Sequence, residues 1–580
     1  MSSSSTSLRI ASMDQFRGYT VAGMFVVNFL SSFAVIHPLL KHNNTWFSYA
    51  DSIMPSFLFA VGFSFRLTYL KRIRQAGYWS TVWTYVKRSL ALVVLSLVMY
   101  GFGSEFRRWD QFSQMPPEFE PFRPKASRTH SFDELMAAAR AANPGQDERS
   151  ILALASASGA SVADPRMHKK DENSPAGRAA AVIDHEANDF VGAAVNRSQN
   201  WEALSPNARL LVHLRIALGK LLKSDLWETL AIIGATQLVV LPFIGWGFGP
   251  RFLVLIALGA AHLVLSYWFN WDFLYGESDT WLSKVWMTGN SRGWDGGFFG
   301  PICWAVAMVA GTLAYDMMIG PQSHGRAALR LIVWGVAFMA VGYGMSCLTR
   351  LYGVSGPELE AQRTEQVRQQ AEKGWLGHLI QAEEARLAQR GGAGRGSGGG
   401  GGFEKDEIQA RIQVLTDQQQ AYPNLNLAES PVNPPWRRLK GRSWRDLLAE
   451  PPFVAPFRDD PQHSVEDRPE NYWMLGKRGP NLSFMIFATG FAFALYGLFV
   501  IVCDLGGLSV GIFRTFGTNA LVAYFLHHVI EAQISGDKDK PALVPHDAPL
   551  WYCLCGFALF FLLTYACVRY LEQRKIYVKL

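Results

Sequence analysis

The chain has 580 residues, of which 49% are hydrophobic, 13% aromatic and only 18% charged, and its formal net charge is +7. Long apolar runs alternate with polar stretches, and several runs approach the roughly 20 residues needed to cross a bilayer. This pattern excludes a soluble enzyme, a secreted disulfide-bonded scaffold and a disordered protein. The basic residues cluster at the ends of apolar runs, which is typical of membrane topology and argues against a nucleic-acid partner.

The six cysteines lie in or beside apolar runs, and none has the spacing of metal ligands. We therefore interpret them as small core residues, and the sequence indicates neither a disulfide framework nor a metal site. The first seven residues are rich in serine, and Asp14 and Arg17 precede the first apolar run. We expect no cleavable signal, so the first span stays in place as an anchor.

The apolar runs predict an all-α integral membrane protein with about ten transmembrane helices. Most runs are apolar on every face and are interrupted by Gly, Ser and Thr, which allow helices to pack closely. The third run is short and the ninth carries polar residues. The predicted spans are Tyr19–Ile36, Ile53–Leu70, Ser89–Gly103, Leu226–Ile244, Phe252–Phe269, Phe298–Met318, Leu329–Leu348, Leu482–Cys503, Ile512–Ile530 and Leu550–Tyr570.

The distribution of lysine and arginine predicts the orientation of these spans. With the N-terminus in the cytoplasm, the short cytoplasmic loops carry about fifteen Lys and Arg residues, against about five on the other side. Arg107 and Arg108, just after the third span, run against this trend. The balance predicts that both termini are cytoplasmic.

Two long polar insertions interrupt the spans and are extracytoplasmic in this orientation. The first shows helical periodicity only near Phe132–Ala142. The second contains a charged helical stretch (Pro357–Arg390), a flexible glycine linker (Gly391–Gly402) and a further helical piece (Lys405–Ala421). We interpret the insertions as solvated spacers, with lids or docking arms for a large external substrate as the alternative. The predicted organisation is spans 1–3 (1–103), first insertion (104–224), spans 4–7 (225–348), second insertion (349–479) and spans 8–10 (480–580).

Polar residues in or beside a membrane span are costly and are therefore candidate functional residues. Asn28 lies in the middle of the first span, His37 and His42 follow its outer end, and Trp46 and Asp51 precede the second span. An imidazole, an amide and a carboxylate thus fall within one short external hairpin.

These groups suit acid–base or covalent chemistry. Histidine matches proton transfer near neutral pH or transient acylation. An amide such as Asn28 can bond a developing oxyanion or orient the imidazole, and Asp51 can fix its tautomer. The structural alternatives are an interfacial histidine, a helix–helix hydrogen bond for Asn28, a helix cap for Asp51 and an aromatic-belt anchor for Trp46.

Two adjacent segments of this region carry distinctive motifs, RIASMDQFRGYTVAGMFVVNF and PLLKHNNTWFSYADSIMPSFLFAVGFS. They resemble the signature of the heparan-α-glucosaminide N-acetyltransferase family and its bacterial relatives. The later segments DLWETLAIIGATQLVV and GTNALVAYFLHHVI resemble that family more weakly, and neither insertion does. The matching residues are Ser12, Asp14, Phe16, Arg17, Gly18, Val27, Asn28, Lys41, His42, Trp46, Asp51, Pro55, Phe57, Phe59 and Gly62.

The chain departs from the family pattern at several points. The spacing from His42 to Trp46 is one residue longer than the family's H-x-x-W, and the segment from Trp46 to Asp51 is shorter than usual. His42 is therefore the counterpart of the active histidine, with His37 as the alternative. The arginine of the fourth-span motif is replaced near Glu228. The lumenal domain of the lysosomal enzyme is absent, which points to a bacterial-type member in the cytoplasmic (inner) membrane.

The resemblance implies a transmembrane acetylation. Acetyl-CoA would act as co-substrate on the cytoplasmic side, and an amine or hydroxyl of an external sugar or glycan would accept the acetyl group. His42, Asn28 and Asp51 are the implied catalytic residues. An acetyl-histidine intermediate and a general-base role for His42 are both open.

Further residues are candidates for binding the two substrates. Arg and Lys suit phosphate groups by charge and hydrogen-bond geometry, although enforcement of topology is the alternative, which we favour for Lys71 and Arg72. Asn519 and Tyr524 in the ninth span are candidates for lining the cavity, with a hydrogen bond to a neighbouring helix as the alternative. His527 and His528 lie near the outer end of this span and are candidate partners of an external sugar, but we favour an interfacial role for them. The candidates for binding acetyl-CoA are Arg17, Asp14, Arg66 and Asn519, and those for binding the acceptor are Trp46 and His528.

A membrane acyltransferase is the leading hypothesis. A secondary transporter or glycan flippase is the second, because polar residues inside spans also mark transport paths, but no pair of matching halves is evident. A receptor or scaffold that displays the insertions leaves Asn28 and His42 unexplained. Membrane lipid is an implied partner, relatives suggest a homodimer, and the acceptor is a glucosamine-containing polymer, a cell-wall sugar or a small amine.

Overall fold

A computed structural model provides the fold of the chain. The residues it describes are α-helical, turn or irregular, with no strand among them. The structure describes residues 10–43, 45–100, 112–116, 119, 130–162, 199–275, 281–286, 293–320, 323–353, 356–392, 408–409, 411–413, 415–416, 419, 430–448, 471–535 and 542–577.

The described helices are numbered here in chain order. They are α1 (Ala11–Ser31), α2 (Tyr49–Ala76), α3 (Tyr78–Tyr100), α4 (His130–Ala142), α5 (Glu148–Val162), α6 (Pro206–Lys220), α7 (Thr229–Val240), α8 (Phe248–Trp268), α9 (Asp272–Tyr275), α10 (Trp281–Trp286), α11 (Gly300–Ile319), α12 (His324–Ser346), α13 (Gly356–Gly392), α14 (Leu482–Phe499), α15 (Gly511–Thr518), α16 (Ala520–Ile534) and α17 (Leu550–Gln573).

Seven of these helical segments are long and apolar enough to cross a membrane, which supports a multi-pass membrane protein. Each of the ten predicted spans overlaps a described helix, but the first, fourth and ninth are not among the seven, so the count of ten is not confirmed. The fourth predicted span is reduced to α7, which has 12 residues. The ninth is divided into α15 and α16 at Asn519, whose φ of −128° and ψ of 44° interrupt the helix. The seven segments are 49–76, 78–100, 248–268, 297–319, 324–352, 482–505 and 550–573.

The chain divides into two compact units, and the first contains residues 1–103, 219–353 and 429–580. Helix α11 lies at its centre, and 83% of the residues in its most apolar stretch are buried. It packs against α2, α7, α8 and α14. Small residues permit this packing. A Cβ atom on Gly62 of α2 would overlap the backbone oxygen of Met308, and one on Gly311 of α11 would overlap that of Phe59. The two backbones therefore touch at glycines on both helices, as in other membrane helix pairs.

This crossing predicts a large effect of a small substitution. We expect Gly62→Leu to destabilise the protein by about 1–3 kcal/mol or more, because the side chain would have to push apart two backbones. Thermal unfolding in detergent, followed by size-exclusion chromatography, measures the effect. Gly344→Ala in α12 is the control, since a Cβ there meets nothing within 4 Å. Equal melting temperatures for the two variants would contradict the predicted role of the crossing.

The second unit contains residues 104–218 and 354–428, so parts of both insertions fold together, whereas the second insertion from residue 429 onward belongs to the first unit. Helices α4, α5 and α13 enclose a hydrophobic core. This differs from the expectation of solvated spacers, because the apolar residues of the core come from two segments that are far apart in the sequence. The core residues include Phe132, Leu135, Met136, Ile151, Leu152, Ala155, Trp375, Leu376 and Leu379.

The helical predictions within the insertions have different outcomes. Helix α4 confirms the helix expected near Phe132–Ala142, and α13 confirms the helix expected at Pro357–Arg390. Most of the glycine linker, and most of the helical piece predicted at Lys405–Ala421, lie outside the described residues.

Candidate active site

The loop between α1 and α2 brings His42 against Asp51. The Nδ1 atom of His42 lies 2.9 Å from Oδ1 of Asp51, which is fully buried in the first turn of α2. The other carboxylate oxygen accepts hydrogen bonds from the Ser48 backbone amide (3.1 Å), the Ser48 hydroxyl (2.7 Å) and the Asn43 backbone amide (3.3 Å). Ser48 in turn caps α2. Asp51 thus completes a capping box and also holds the imidazole.

The surroundings keep His42 neutral. Its side chain is 33% exposed. Burial lowers the pKa of His42 below the ordinary value of 6.5, and the positive charge of Lys477 lowers it further, against the opposing effects of Asp51 and Asp295. With the Nδ1 proton donated to Asp51, the lone pair of Nε2 is available to take up a proton or to attack a carbonyl carbon.

A buried ion pair lies beside this histidine. The Nζ atom of Lys477 is 3.2 Å from Oδ1 of Asp295, and the side chains are only 9% and 1% exposed. The backbone amide of Lys477 donates to the carbonyl of Asn43, 3.4 Å away, which ties its loop to the His42 loop. The ring of Trp294, which is partly exposed, lies 5.9 Å from Nζ. An exposed aromatic ring next to a charged pair suits a sugar or another polar acceptor.

The backbone at Asp295 has an unusual conformation. Its φ is +47°, and those of Gly296 and Gly297 are +89° and +55°, so three successive residues lie in the left-handed region. The indole nitrogen of Trp304 donates to the Asp295 carbonyl at 3.0 Å, and the Gly296 amide donates to Arg478 at 3.1 Å. The fold therefore holds a strained residue in place at the site, a feature that is concentrated in functional regions.

Glu228, immediately before α7, belongs to the same cluster. Burial raises its pKa to about 7, with a further contribution from the charge of Asp295, while Lys477 opposes the change. The same two charges act on His42. Burial therefore favours the protonated form of Glu228 more than that of an ordinary glutamate, a feature common among groups at functional sites.

Asn28, in the middle of α1, contacts a second histidine. Its Nδ2 atom donates to Nε2 of His527 in α16, 3.1 Å away. The Nδ1 atom of His527 donates to the backbone carbonyl of Tyr524 at 2.5 Å. These two bonds define one neutral tautomer, with the proton on Nδ1.

Two tyrosines, one at the end of α3 and one in α16, lie next to the Asn28–His527 pair. The hydroxyl of Tyr100, the last residue of α3, lies 2.7 Å from the hydroxyl of Tyr524 and 2.7 Å from Nε2 of His528. The charges of Glu228 and Asp295 act on both tyrosines. Because Asp295 also acts on His42, these groups form one polar cluster at the same end of the first unit.

Three residues of α16 also have the arrangement of possible metal ligands. The donor atoms of His527, His528 and Glu531 all lie within 4.8 Å of one another. Both ring nitrogens of His527 already bond to Asn28 and Tyr524. The geometry therefore favours a hydrogen-bonded network over a cation site.

The opposite end of the unit holds the residues predicted to bind acetyl-CoA. Arg66 pairs with Asp316 at 3.3 Å, and Arg251, which is fully buried, pairs with the same carboxylate and with the Thr312 hydroxyl (2.6 Å). Arg66 also donates to the Ile244 carbonyl. Two guanidinium groups thus share one carboxylate, which leaves a surplus of positive charge. Arg66 lies 15 residues beyond Asp51, or about 22 Å along α2.

The other three residues predicted to bind acetyl-CoA have different surroundings. Arg17 lies 3.5 Å from Asp14, and both side chains are about one-quarter exposed. The amide of Asn519 donates to the Ile576 carbonyl at 2.8 Å, and the residue is buried. This hydrogen bond, to the segment that follows α17, supports the alternative in which Asn519 bonds a neighbouring part of the fold and does not bind acetyl-CoA.

The structure brings together some predicted site residues and separates others. His42 and Asp51 are paired, and His528 lies in the same polar cluster as Asn28. Trp46 is buried, at 6% exposed. His37 is exposed, and its Nδ1 accepts the backbone amide of Leu39 at 3.1 Å. His37 therefore caps a local turn, whereas His42 has a carboxylate partner.

Sequence reasoning did not select Asp295, Lys477 or Tyr100. Each lies in a loop or at a helix end, far from the motif that carries His42. One signal was available: the run Trp294–Gly297 places an acidic residue between a tryptophan and two glycines, just before an apolar span. His527 and Glu228 were noted in the sequence but not assigned a catalytic role.

Comparison with known protein families concerns the part of the site that is formed by α1, α2 and the loop between them. Residues 9–103 match the family described as heparan-alpha-glucosaminide N-acetyltransferase, catalytic. This segment is therefore similar to that family. It contains α1, α2, α3 and the loop with His42 and Asp51, and the family implies an acetyltransferase. No curated protein matches the chain.

Proposed function

We propose that the protein transfers the acetyl group of acetyl-CoA across the membrane to an amine or hydroxyl of an extracytoplasmic sugar or glycan. The observation that carries the proposal is the His42–Asp51 pair, at 2.9 Å, within the segment that matches an acetyltransferase family. A neutral imidazole held by a buried carboxylate is the arrangement that acyl transfer requires.

The chemistry uses the free Nε2 of His42. In one route, Nε2 removes a proton from the acceptor as its nitrogen or oxygen attacks the acetyl carbonyl, and the C–S bond breaks to release CoA as a thiolate. In the other, Nε2 itself attacks the carbonyl, and the C–S bond breaks to release CoA as a thiolate. The acceptor then attacks acetyl-His42 and loses its proton, and the bond between the acetyl carbon and Nε2 breaks to release the imidazole. Asp51 stabilises the charged imidazole in either route.

The two ends of the unit suit different substrates. The surplus positive charge of Arg66 and Arg251 around Asp316, together with the partly exposed Arg17, favours the phosphates of acetyl-CoA. At the other end, Trp294, Asp295 and Glu228 offer an aromatic face and carboxylates to a polar acceptor. The proposal places the protein in a bacterial inner membrane with both termini in the cytoplasm. A homodimer is part of the same proposal.

The decisive experiment measures CoA release by the purified protein in detergent. Acetyl-CoA is supplied with and without glucosamine, and acetylated product is detected by mass spectrometry. We expect release that glucosamine stimulates, with product in equal amount. A burst of one CoA per protein without acceptor would identify the acetyl-histidine route. If acetyl-CoA is neither bound nor consumed, the proposal fails and the transporter alternative takes its place.

The charged neighbours of His42 predict opposite shifts of the pH–activity profile. Activity should fall on the acid side as His42 becomes protonated, since Nε2 then lacks its lone pair. Lys477→Met removes the charge that lowers the pKa of His42, so the acid limb moves to higher pH. Asp295→Asn removes a charge that raises this pKa, so the limb moves to lower pH.

Rate measurements between pH 4.5 and about 8, the range in which histidine titrates, test this pair of variants. A loss of folded protein that does not depend on pH lowers the rate without moving the limb, and circular dichroism over the same pH range shows where each variant unfolds. Asparagine tolerates the left-handed backbone of position 295. Limbs at the wild-type pH in both variants would contradict an electrostatic role of the Lys477–Asp295 pair.

A further inference from the structure

Helix α6 (Pro206–Lys220) exposes four leucines on one face. Leu210, Leu211, Leu214 and Leu218 are 38%, 66%, 54% and 56% exposed. Their spacing places them in one stripe along the helix, which we call the leucine face. An uninterrupted exposed apolar stripe of this kind marks an interaction surface in a folded unit.

The opposite side of α6 packs inside the second unit. His213 is 2% exposed, and its ring lies 5.4 Å from the rings of Phe112 and Trp201. The Nε atom of Arg209 donates to the Trp201 carbonyl at 3.1 Å. These contacts fix the rotation of α6 about its axis, so the leucine face is directed away from the core of its unit.

The chain leads directly from α6 to an apolar helix. A turn of π-helix, Leu221–Asp225, follows α6, and α7 begins at Thr229. With 12 residues, α7 is about 18 Å long, whereas the hydrocarbon core of a bilayer is about 30 Å thick. Helix α6 therefore immediately precedes a short apolar helix in the chain, the position expected of an interfacial segment beside the membrane part of a protein.

The positive charge of α6 also suits a position at the membrane surface. The helix contains Arg209, Arg215 and Lys220 but no acidic residue. A basic helix with leucines on one face is the pattern of helices that lie in the membrane interface, where the apolar face enters the boundary between headgroups and acyl chains. Basic side chains there are attracted by anionic headgroups.

We propose that α6 is an interfacial helix whose leucine face inserts into the lipid bilayer. The occupant of this face is lipid, and the position of the helix next to a short apolar segment supports that choice over a second protein. The proposal does not depend on acetyl transfer, so its test and that of the proposed function are independent.

Spin labels on α6 test the proposal in the full-length protein. Leu211→Cys and Leu214→Cys are labelled separately, after the exposed native residues Cys555 and Cys567 and the half-buried Cys347 are replaced by serine. The protein is reconstituted into vesicles of phosphatidylcholine and phosphatidylglycerol at a ratio of about 3:1, which supplies the anionic surface. Ala203→Cys, at an exposed position just before α6, is the water-facing control.

Accessibility to oxygen and to a water-soluble nickel chelate distinguishes the outcomes. We expect labels at 211 and 214 to favour oxygen, with the ratio reversed at 203. Labels that favour the nickel chelate at all three positions would overturn the proposal, since the leucine face would then lie in water. Labels inaccessible to both reagents would also overturn it and would indicate that protein, such as a second copy of the chain, covers the face.

Discussion

Replacement of His42 by alanine is expected to lower kcat/KM for acetyl transfer by about 10²–10⁴-fold, the range for loss of a positioned acid–base group. The variant lacks the Nε2 atom that either removes the acceptor's proton or carries the acetyl group. Steady-state CoA release with saturating acetyl-CoA and varied glucosamine measures the loss. If the reaction passes through acetyl-His42, the variant also shows no burst of CoA release in the absence of acceptor.

His37→Ala is the matched control, because it removes an imidazole from the same loop at an exposed position. We expect its kcat/KM to stay within about twofold of the wild type, as is usual for surface substitutions away from a site. Thermal unfolding of both variants shows whether the loop remains folded. Activity that survives in His42→Ala and disappears in His37→Ala would transfer the catalytic role to His37 and leave the proposed reaction in place.

Asp316→Ala is expected to destabilise the protein by about 3 kcal/mol, the lower end of the range for removing one partner from a buried ion pair, because the Asp316 side chain is itself 24% exposed. Asp316 is the carboxylate partner of both Arg66 and Arg251, whose side chains are 9% and 1% exposed. Without it, two positive charges remain close together inside the helix bundle. The measurement is the melting temperature of the purified protein in detergent.

A double variant separates this electrostatic cause from a loss of packing. Arg251→Met in the Asp316→Ala background removes the less accessible of the two charges and keeps most of the side-chain volume. We expect it to recover a large part of the lost stability, because the coupling between contacting residues is non-additive. If the double variant is as unstable as the sum of the two single variants, the charges are not the cause.

The apolar runs were sufficient to predict an α-helical membrane protein. Helix formation in lipid satisfies every backbone hydrogen bond within the segment, so a long apolar run has few other options. The predicted span boundaries were least accurate where the backbone interrupts or ends a helix inside an apolar run. Asn519 divides the ninth predicted span, and α7 ends after 12 residues, neither of which follows from hydropathy.

The insertions show a different limit of sequence reasoning. Their local composition is polar, which predicts solvated segments. Phe132 and Trp375 nevertheless share one core, with ring centroids 5.8 Å apart. Residues separated by more than two hundred positions leave no periodic pattern that reveals such a contact.

For the candidate site, the sequence alone determined the short-range part. His42 and Asp51 lie on one short hairpin, so their proximity follows from chain connectivity, and a recognisable motif surrounds them. Asn28 was identifiable because an amide in the middle of a span is costly unless it is bonded. Its partner, His527, was not.

Only the tertiary structure decided which distant groups surround the imidazole. Lys477, Asp295 and Glu228 come from three separate loops, yet their charges act on one another and, for the first two, on His42. The physical reason is that the protonation state of a histidine depends on burial and on charges within a few ångströms, and these depend on helix packing. The motif therefore selects the residue, and the packing of the other helices sets its chemistry.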